Sequence, residues 1–367
     1  MIKLGIIGAG GMANYQAKRF GEINTCQLWA CKDQRIEHAK SFAKKYCIDH
    51  WYTELDTLLS DPEGSCDAYS CAVLDEGHAY IGQRILSIEK PLMIEKPLAR
   101  TLREAELLAN LAEQKKVPNF VNFSKRNAPA LWALKNLIKN NYLGFLYTVK
   151  AEYTQGWVAT NCWGDWMTTP RWRWRLQPQT STAGIIGDLG SHLVDTLLLL
   201  FGTLIPDNPP QLIRLDEAIQ SKQAPYQNLE NSFYDEQGTV PVEASVDFHV
   251  TNPEGKKIAG TMRLSWLDSE STDVFKILIT GEKGSALLDL SQSKNQVFIY
   301  DLNHHIDEII NYPMVPSTYE AFIKNAEGTP IESTMKNQKN TGEIPNFYQG
   351  CLVQKTLNEL FPGVLPE

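Results

Sequence analysis

The chain of 367 residues is 43% hydrophobic and 21% charged, and its formal net charge is −8. This ordinary globular composition excludes a disordered chain and a collagen-like repeat, and the length favours two domains. The acidic balance argues against nucleic acid or an anionic membrane as a partner, and no apolar run approaches the ~20 residues of a membrane-spanning helix.

The first 124 residues alternate short apolar runs with amphipathic stretches. Strands are predicted at 3–7, 27–31, 68–74, 92–94 and 119–123, and helices at 12–20, 35–45, 80–88 and 102–114. Such alternation is typical of right-handed βαβ units. Residues 1–124 are therefore predicted to form an α/β domain with a doubly wound parallel sheet, a Rossmann domain.

From about residue 146 the pattern changes to successive strands, which indicates a largely antiparallel sheet. A strand at 145–153, an aromatic loop to 179 and a helix at 188–201 precede strands at 242–250, 257–266, 274–280 and 285–290, with turns at 252–255 and 281–284. The polar segment 206–241 is the candidate for a long excursion, and helices at 318–327 and 345–360 close the chain. We predict an α+β domain over 125–345, and a C-terminal segment over 346–367 that packs back on the body.

The seven cysteines are odd in number, scattered, and never spaced C-x-x-C. This pattern favours reduced thiols over a disulfide framework, and no metal site is expected. The N-terminal residues pass directly from a predicted strand into a glycine turn, without the apolar core of a signal peptide. We therefore expect a cytoplasmic protein.

The glycine turn Gly8-Ala9-Gly10-Gly11-Met12-Ala13 fits G-x-G-x-x-A between a predicted strand and a predicted helix. Gly8 allows the tight turn, Gly10 lets the backbone approach a diphosphate, and the helix N-terminus offers N–H groups to the anion. Asp33 ends the next predicted strand, where an acidic side chain binds the ribose hydroxyls of a dinucleotide. Its carboxylate favours NAD over NADP, although Lys32 and Arg35 are close enough in sequence to bind a 2′-phosphate. The competing interpretation is an ordinary glycine turn and a surface aspartate.

Two further motifs join the glycine turn in a fixed order, Glu95-Lys96-Pro97 and Gly187-Asp188-Leu189-Gly190-Ser191-His192-Leu193-Val194-Asp195. Together the three resemble the glucose–fructose oxidoreductase/inositol dehydrogenase (Gfo/Idh/MocA) family over nearly the whole chain. The resemblance implies a Rossmann domain joined to an open-faced sheet, through which homodimers or homotetramers assemble. It also implies a nicotinamide cofactor and redox chemistry on a secondary alcohol of a sugar, inositol or related polyol.

The resemblance assigns catalysis to Lys96, Asp188 and His192, which are also expected to contact the substrate. Residue chemistry supports this independently. Histidine has a pKa near working pH and suits proton transfer, whereas a lysine cation stabilises a developing alkoxide. Asp188 and His192 are four residues apart, which places them on one face of a helix. The sequence leaves open whether Lys96 or His192 takes the proton, and a structural role, such as a helix N-cap for Asp188, remains the alternative.

The letters Glu-Lys-Pro occur twice, because Glu89-Lys90-Pro91 precedes the predicted strand at 92–94 that Glu95-Lys96-Pro97 follows. Ligands of open α/β sheets bind at the carboxyl ends of the strands, so we assign chemistry to Lys96 and a solvated turn to Lys90. The resemblance also implies a cis peptide bond between Lys96 and Pro97.

Three further residues outside the motifs are candidates for the pocket. His78 follows a predicted strand, where it lies either near the cofactor or on the surface. Five tryptophans between residues 153 and 175 provide flat faces for sugars, and arginines are interleaved with the last of them. Within this segment Trp174 and Arg175 are the substrate-binding candidates, and core packing is the alternative. The full set of expected cofactor-binding residues is Gly8, Gly10, Gly11, Met12, Asp33, Arg35, His78, Glu95 and Lys96.

The sequence thus predicts an NAD(P)-dependent oxidoreductase that acts on the CH–OH group of a sugar or polyol. Two alternatives share the fold: an NAD-dependent glycoside hydrolase that uses its cofactor transiently, and a non-catalytic NAD(P)-binding sensor. Retention of Lys96, Asp188 and His192 argues against the sensor, which has no need of all three.

Overall fold

The computed structural model describes residues 1–220, 230–236, 238–251, 255–328 and 344–366. The chain divides into two compact units. The first comprises Met1–Ser124 and Pro316–Leu352, and the second comprises Lys125–Val315 and Val353–Glu367.

Residues 1–124 alternate strands and helices, as the sequence predicts. The elements are β1 (Ile2–Ile7), α1 (Gly11–Gly21), β2 (Cys26–Lys32), α2 (Ile36–Tyr46), β3 (His50–Tyr52), α3 (Leu55–Ser60), β4 (Ala68–Cys71), α4 (His78–Ser87), β5 (Leu92–Ile94), α5 (Leu102–Lys115) and β6 (Asn119–Val121). The strands lie in the order β3-β2-β1-β4-β5-β6, and every neighbouring pair is parallel. This order is the doubly wound arrangement of dinucleotide-binding domains, so the predicted fold class is confirmed.

The described residues after 124 form α6 (Pro129–Lys139), β7 (Leu146–Thr154), α7 (Pro170–Arg173), α8 (Ser191–Phe201), β8 (Ile205–Pro206), β9 (Gln211–Arg214), α9 (Leu215–Gln220), β10 (Pro241–Thr251), β11 (Lys257–Ser265), β12 (Val274–Gly281), β13 (Gly284–Asp289), β14 (Gln296–Tyr300), β15 (Ile306–Asn311), α10 (Thr318–Ala326) and α11 (Phe347–Leu360).

The core of the first unit explains why α10 belongs to it. Helix α1 places an apolar stripe against the sheet, and Phe20 of that stripe lies 5.1 Å from the ring of Tyr319 and 6.2 Å from that of Phe322. A capping box of Ser317 and Glu320 begins α10. The domain prediction assigned residues up to 345 to the second domain, whereas Pro316–Leu352 group with the first unit, because α10 packs on α1.

The second unit is built on a sheet in the order β15-β14-β13-β12-β7-β11-β10-β8, with β9 beside β10. All of its pairs are antiparallel except β7 with β11. Burial alternates along β12, so that Ile277 and Ile279 are fully buried while their neighbours are partly exposed. One face of the sheet is therefore a core face, and the predicted α+β class is confirmed.

Turns and excursions follow the sequence in part. Gly281 pairs with Gly284 across the β12–β13 hairpin, which confirms that turn. Of the turn predicted at 252–255, residues 252–254 lie outside the described residues. The predicted excursion at 206–241 contains β9 and α9, and its residues 221–229 and 237 also lie outside the described part.

Candidate functional site

The glycine turn leaves open space at the start of α1. Gly8 has a φ of +104°, and a Cβ there would lie 2.6 Å from the carbonyl oxygen of Ala72, so only glycine fits. A Cβ built on Gly10 or Gly11 would meet no heavy atom within 4 Å. Helix α1 has no side-chain cap and no acidic residue in its first turn. The free N–H groups and this open space fit a diphosphate.

Asp33 lies against the same turn. Its Oδ2 accepts a hydrogen bond of 2.9 Å from the N–H of Ala9, and its Oδ1 accepts one of 3.0 Å from the N–H of Arg35. The guanidinium Nε of Arg35, on a side chain that is 72% exposed, lies 3.9 Å from Oδ1. The structure therefore brings the predicted ribose-binding acid to the glycine turn, with Arg35 at its outer side.

The Glu95-Lys96-Pro97 segment leaves the carboxyl end of β5, whereas Lys90 precedes that strand, as predicted. The Lys96–Pro97 peptide bond is cis, which confirms the prediction. Glu95 is buried, and its carboxylate accepts hydrogen bonds from Gln16 and Asn122. The side chain of Glu95 is thus directed toward α1 and the end of β6.

His78 is buried, which excludes the surface alternative. Its Nδ1 lies 2.9 Å from the carbonyl oxygen of Pro97, and its Nε2 lies 3.3 Å from that of Val73. Both ring nitrogens therefore face backbone carbonyls of the first unit, and the imidazole holds the residue that follows Lys96.

Asp188 lies in a π-helical turn, Ile186–Gly190, that precedes α8. The sequence predicts a continuous helix from 188, so the start of that helix differs from the prediction; short π-helical turns are frequent at functional sites. Oδ2 of Asp188 accepts a hydrogen bond of 3.2 Å from Nε of Arg175, and both side chains are less than one-fifth exposed. Arg175 also stacks on Trp174, with its guanidinium carbon 4.3 Å from the ring centroid.

His192 is in the first turn of α8 and is 8% exposed. Its ring centroid is 6.2 Å from that of Tyr153 on β7. Burial, followed by the carboxylates of Asp273 and Asp188, raises the pKa of Tyr153 well above its usual range near 10, and the tyrosine hydroxyl donates to Asp273. The phenol is therefore neutral at physiological pH, and its single O–H proton is directed to Asp273.

A cation completes this cluster in the second unit. Nζ of Lys125 lies 4.4 Å from the centroid of the Tyr153 ring and 3.8 Å from Oδ2 of Asp273. Nε2 of Gln155 donates a hydrogen bond of 2.9 Å to Oδ1 of the same carboxylate. Sequence reasoning missed Lys125, Tyr153 and Asp273, because they lie in three separate segments and none belongs to a motif.

Three of the five tryptophans between residues 153 and 175 pack against other tryptophans. Trp157 and Trp163 are stacked with an interplanar angle of 6°, and Trp157 also contacts Trp266, while Trp163 contacts Trp172. Trp157 and Trp266 are fully buried. Core packing thus accounts for these rings. Trp174 is partly exposed, and among the described residues its ring stacks only on the guanidinium of Arg175.

Asp195, one turn beyond His192, has a structural partner. Its Oδ2 accepts a hydrogen bond of 2.8 Å from Nε of Arg126, and both side chains are at least 98% buried. A buried ion pair of this kind holds α8 in place. Asp195 therefore has a structural role, because its ion pair fixes the helix that carries His192.

The described residues contain no helix with the length and hydropathy needed to cross a bilayer. They also contain no group of three or more His, Cys, Asp or Glu side chains arranged to hold a metal ion. All seven cysteines are free thiols, and four of them, Cys26, Cys31, Cys66 and Cys71, have a pKa that burial raises to about 12.

Two family models match the chain. Residues 2–123 match the Gfo/Idh/MocA oxidoreductase family with an NAD-binding Rossmann fold, and residues 131–287 match the Gfo/Idh/MocA C-terminal domain. Among curated relatives, the glucose-6-phosphate 3-dehydrogenase of Bacillus subtilis is 31% identical over 202 residues, which cover 55% of this chain and 54% of the relative. Oxidoreductase P35 of Formosa agariphila is 22% identical over 88% of this chain and 91% of its own length.

A levoglucosan dehydrogenase of Pseudarthrobacter phenanthrenivorans is 25% identical over 48% of this chain, and the match covers 45% of the relative. The chain thus matches about half the length of that relative and of the glucose-6-phosphate 3-dehydrogenase. Among solved structures, a levoglucosan dehydrogenase in complex with NADH and levoglucosan aligns with a TM-score of 0.74 at 18% identity, over 98% of this chain and 95% of that one.

An inositol dehydrogenase homologue of Azotobacter vinelandii, complexed with NADH and myo-inositol, also aligns with a TM-score of 0.74, at 16% identity over 98% of this chain and 94% of that one. Both structural matches concern the fold. The chain belongs to the Gfo/Idh/MocA oxidoreductase family, and its first unit contains the NAD-binding Rossmann domain of that family.

Proposed function

We propose that the protein is an NAD(P)-dependent oxidoreductase that transfers hydride between nicotinamide and a secondary alcohol or ketone of a sugar, inositol or related polyol. The observation that carries the proposal is the open glycine turn with Asp33 bonded to it, in a chain of this family. A cytoplasmic location is part of the same proposal and rests on the sequence patterns.

The first unit supplies the proposed cofactor site. The N–H groups at Gly10, Gly11 and Met12 bind the diphosphate at the N-terminus of α1, where the helix dipole favours an anion. Asp33 accepts hydrogen bonds from the ribose hydroxyls, and its negative charge disfavours a 2′-phosphate, so NAD is the proposed cofactor. Arg35 lies on the solvent side of Asp33, where its exposed guanidinium can bind a 2′-phosphate and so gives some affinity for NADP.

Lys96, Asp188 and His192 form the proposed catalytic set. When bound, NAD supplies the hydride acceptor at C4 of its nicotinamide. The Lys96 ammonium polarises the substrate oxygen and stabilises negative charge that develops there, while His192 accepts the hydroxyl proton. Asp188 orients the substrate or the imidazole, and its ion pair with Arg175 fixes the carboxylate. Arg175 and Trp174 contact the substrate, because arginine suits hydroxyl groups and a flat indole suits the C–H face of a sugar.

Assembly through the second sheet is part of the proposal. Strand register places Leu278, Leu287, Phe298 and Ile309 opposite one another on β12 to β15, on the face away from the fully buried Ile277, Leu288 and Val297. These four residues form an apolar row on the outer face of the sheet, and Ile309 is 42% exposed. A second copy of the chain covers this row in the proposed homodimer or homotetramer.

The test is a panel of sugars, inositols and polyols with NAD and with NADP, followed by the absorbance of the reduced cofactor. The proposal expects substrate-dependent reduction of NAD by at least one member. Turnover of a glycoside without net NADH would support the hydrolase, and silence across the panel with tight NADH binding would support the sensor; either result would refute the proposal.

A further inference from the structure

We propose that Gln16 and Asn122 are positioning residues for Lys96 and act through the buried carboxylate of Glu95. The inference deepens the proposed function, because it rests on a catalytic role for Lys96. It also reassigns Glu95 from contact with the cofactor to support of the lysine that follows it.

The carboxylate of Glu95 accepts hydrogen bonds from three N–H groups. Its Oε1 receives one of 2.6 Å from Nε2 of Gln16 and one of 2.7 Å from Nδ2 of Asn122. Its Oε2 lies 3.3 Å from the backbone N–H of Lys96, which donates to it. The side chain of Glu95 is 6% exposed. One buried group thus connects the two amides to the backbone of the lysine.

Each amide is itself held at its other end. Oε1 of Gln16 accepts a hydrogen bond of 2.7 Å from the hydroxyl of Ser70 on β4. Asn122 donates a second hydrogen bond, of 2.9 Å, to the hydroxyl of Tyr319, and its Oδ1 accepts one of 3.2 Å from Thr318. The side chains of Gln16 and Asn122 are at least 99% buried. The donors to Glu95 are therefore fixed in orientation by β4 and α10.

Burying the carboxylate of Glu95 in this part of the core costs desolvation free energy. Gln16 occupies a position in the stripe of α1 that includes Ala13, Ala17 and Phe20, where an apolar side chain would pack without any polar partner. Burying a carboxylate without a cation requires several strong hydrogen bonds, and this site supplies them from two separate elements. Such a network contributes little to packing and instead fixes the position of the residue that it surrounds.

The residue so fixed is Lys96. Its side chain is a flexible four-carbon stem, so the position of the ammonium depends on how firmly its backbone is held. Glu95 holds the N–H of Lys96 at the exit from β5, and His78 lies within hydrogen-bond distance of the carbonyl of Pro97. The lysine therefore leaves the sheet from a segment that is held on both sides.

The test compares Gln16→Met with Ser70→Ala. The first removes the bond to Glu95 at nearly constant volume, and the second removes only the hydroxyl behind Gln16. Asn122→Leu removes the other bond to Glu95, and Tyr319→Phe is its matched control, because it leaves the bond from Asn122 to Glu95 in place. Glu95→Gln serves as a milder second variant should Gln16→Met fail to fold, since it keeps the shape of the side chain and removes the charge.

The first readout needs neither cofactor nor substrate. Acetylation of Lys96 by acetic anhydride is followed by mass spectrometry, with Lys90 at the other end of β5 as the internal reference. We expect Gln16→Met, Asn122→Leu and Glu95→Gln to change the ratio of the Lys96 rate to the Lys90 rate by about threefold or more, and both controls, which keep the bonds to Glu95, to change it by clearly less. Equal ratios in all variants, or equal changes in the variants and their controls, would overturn the inference.

The second readout is the split between kcat and KM. Misplacing the ammonium lowers kcat by about tenfold or more in Gln16→Met, while KM for the cofactor stays within about twofold. A loss confined to thermal stability, with wild-type kcat, would assign the network a structural role only. Absence of turnover in the wild type would refute the proposed function, and the acetylation ratio would still decide whether the network positions Lys96.

Discussion

Replacing Gly10 with alanine adds one methyl group at the N-cap of α1, in space where no heavy atom lies within 4 Å. The added Cβ meets nothing in the protein, so the free energy of unfolding changes by about 0.5 kcal/mol or less. The same methyl group occupies the approach to the helix N-terminus, where the proposed diphosphate lies closest to the backbone. We expect the Kd for NADH to rise about tenfold or more, which corresponds to about 1.4 kcal/mol.

Gly8→Ala is the matched comparison, because its Cβ would lie 2.6 Å from a backbone oxygen at a φ of +104°. The left-handed conformation alone costs about 1–2 kcal/mol, and the collision adds to it, so the expected loss is about 2 kcal/mol or more. Titration calorimetry with NADH and a thermal melt measure the two effects. Wild-type affinity in a folded Gly10→Ala variant would refute the assignment of the glycine turn to the cofactor.

Three further predictions concern the cofactor, the assembly and pH. Asp33→Ser removes the charge that disfavours a 2′-phosphate, so the ratio of NADPH to NADH affinity rises about tenfold in titrations; an unchanged ratio contradicts this role. Phe298→Glu places a charge in the apolar row of the outer sheet face, and light scattering is expected to show monomers. Lys44→Glu, at an exposed position on α2 in the first unit, leaves the oligomer intact. An unchanged mass in the Phe298 variant removes that face from the assembly. Burial raises the pKa of the Cys66 and Cys71 thiols from 9.0 to about 12, so above pH 9 the unfolded state loses protons that the native state keeps. The free energy of unfolding measured in urea therefore falls between pH 9 and pH 12. Alkylation of the native protein at pH 8 is confined to the exposed Cys47 and Cys162, and rapid alkylation of Cys71 would contradict the assignment of a buried thiol with a raised pKa.

The doubly wound half of the fold was accessible from sequence because its longer elements are strongly periodic. Helix α1 is predicted to within one residue at each end, and α5 to within one residue at its C-terminal end; the short strand β5 is predicted because all three of its residues are apolar and buried. Two elements between α2 and β4 are missed. Strand β3 buries only Tyr52 of its three residues, so it lacks the apolar run that marks β5, and helix α3 has six residues, too few for a helical period. Strand β15 was missed for another reason. Almost all of its residues are exposed, so its sequence does not alternate between apolar and polar positions.

The residues of the candidate site also fall into two groups, those that a local motif identifies and those that only the fold brings together. Motifs identified the glycine turn, Asp33 and the lysine after β5, since each of these roles depends on residues that are adjacent in the chain. The network around Glu95 connects residues up to 197 positions apart, as between Asn122 and Tyr319, and only the fold brings them together. One signal was present in the sequence: Gln16 is a polar residue in the apolar stripe of α1, and such a residue requires a buried partner.

The turn before α8 was also beyond sequence reasoning. An apolar run through Ile185 and Ile186 fits an α-helix as well as a π-helical turn, and the choice between them depends on tertiary packing. The spacing of four residues between Asp188 and His192 therefore spans a change of helical geometry, not a single regular face.

In the proposed mechanism Lys96 acts on the substrate while the glycine turn independently holds NAD. The most direct test of this mechanism is Lys96→Met, assayed for turnover with the best substrate of the panel and, in parallel, for NADH binding. We expect kcat to fall by about 10² or more while the Kd for NADH stays within about twofold of the wild type. Turnover at the wild-type rate in this variant, or loss of NADH binding equal to the loss of turnover, would contradict the mechanism.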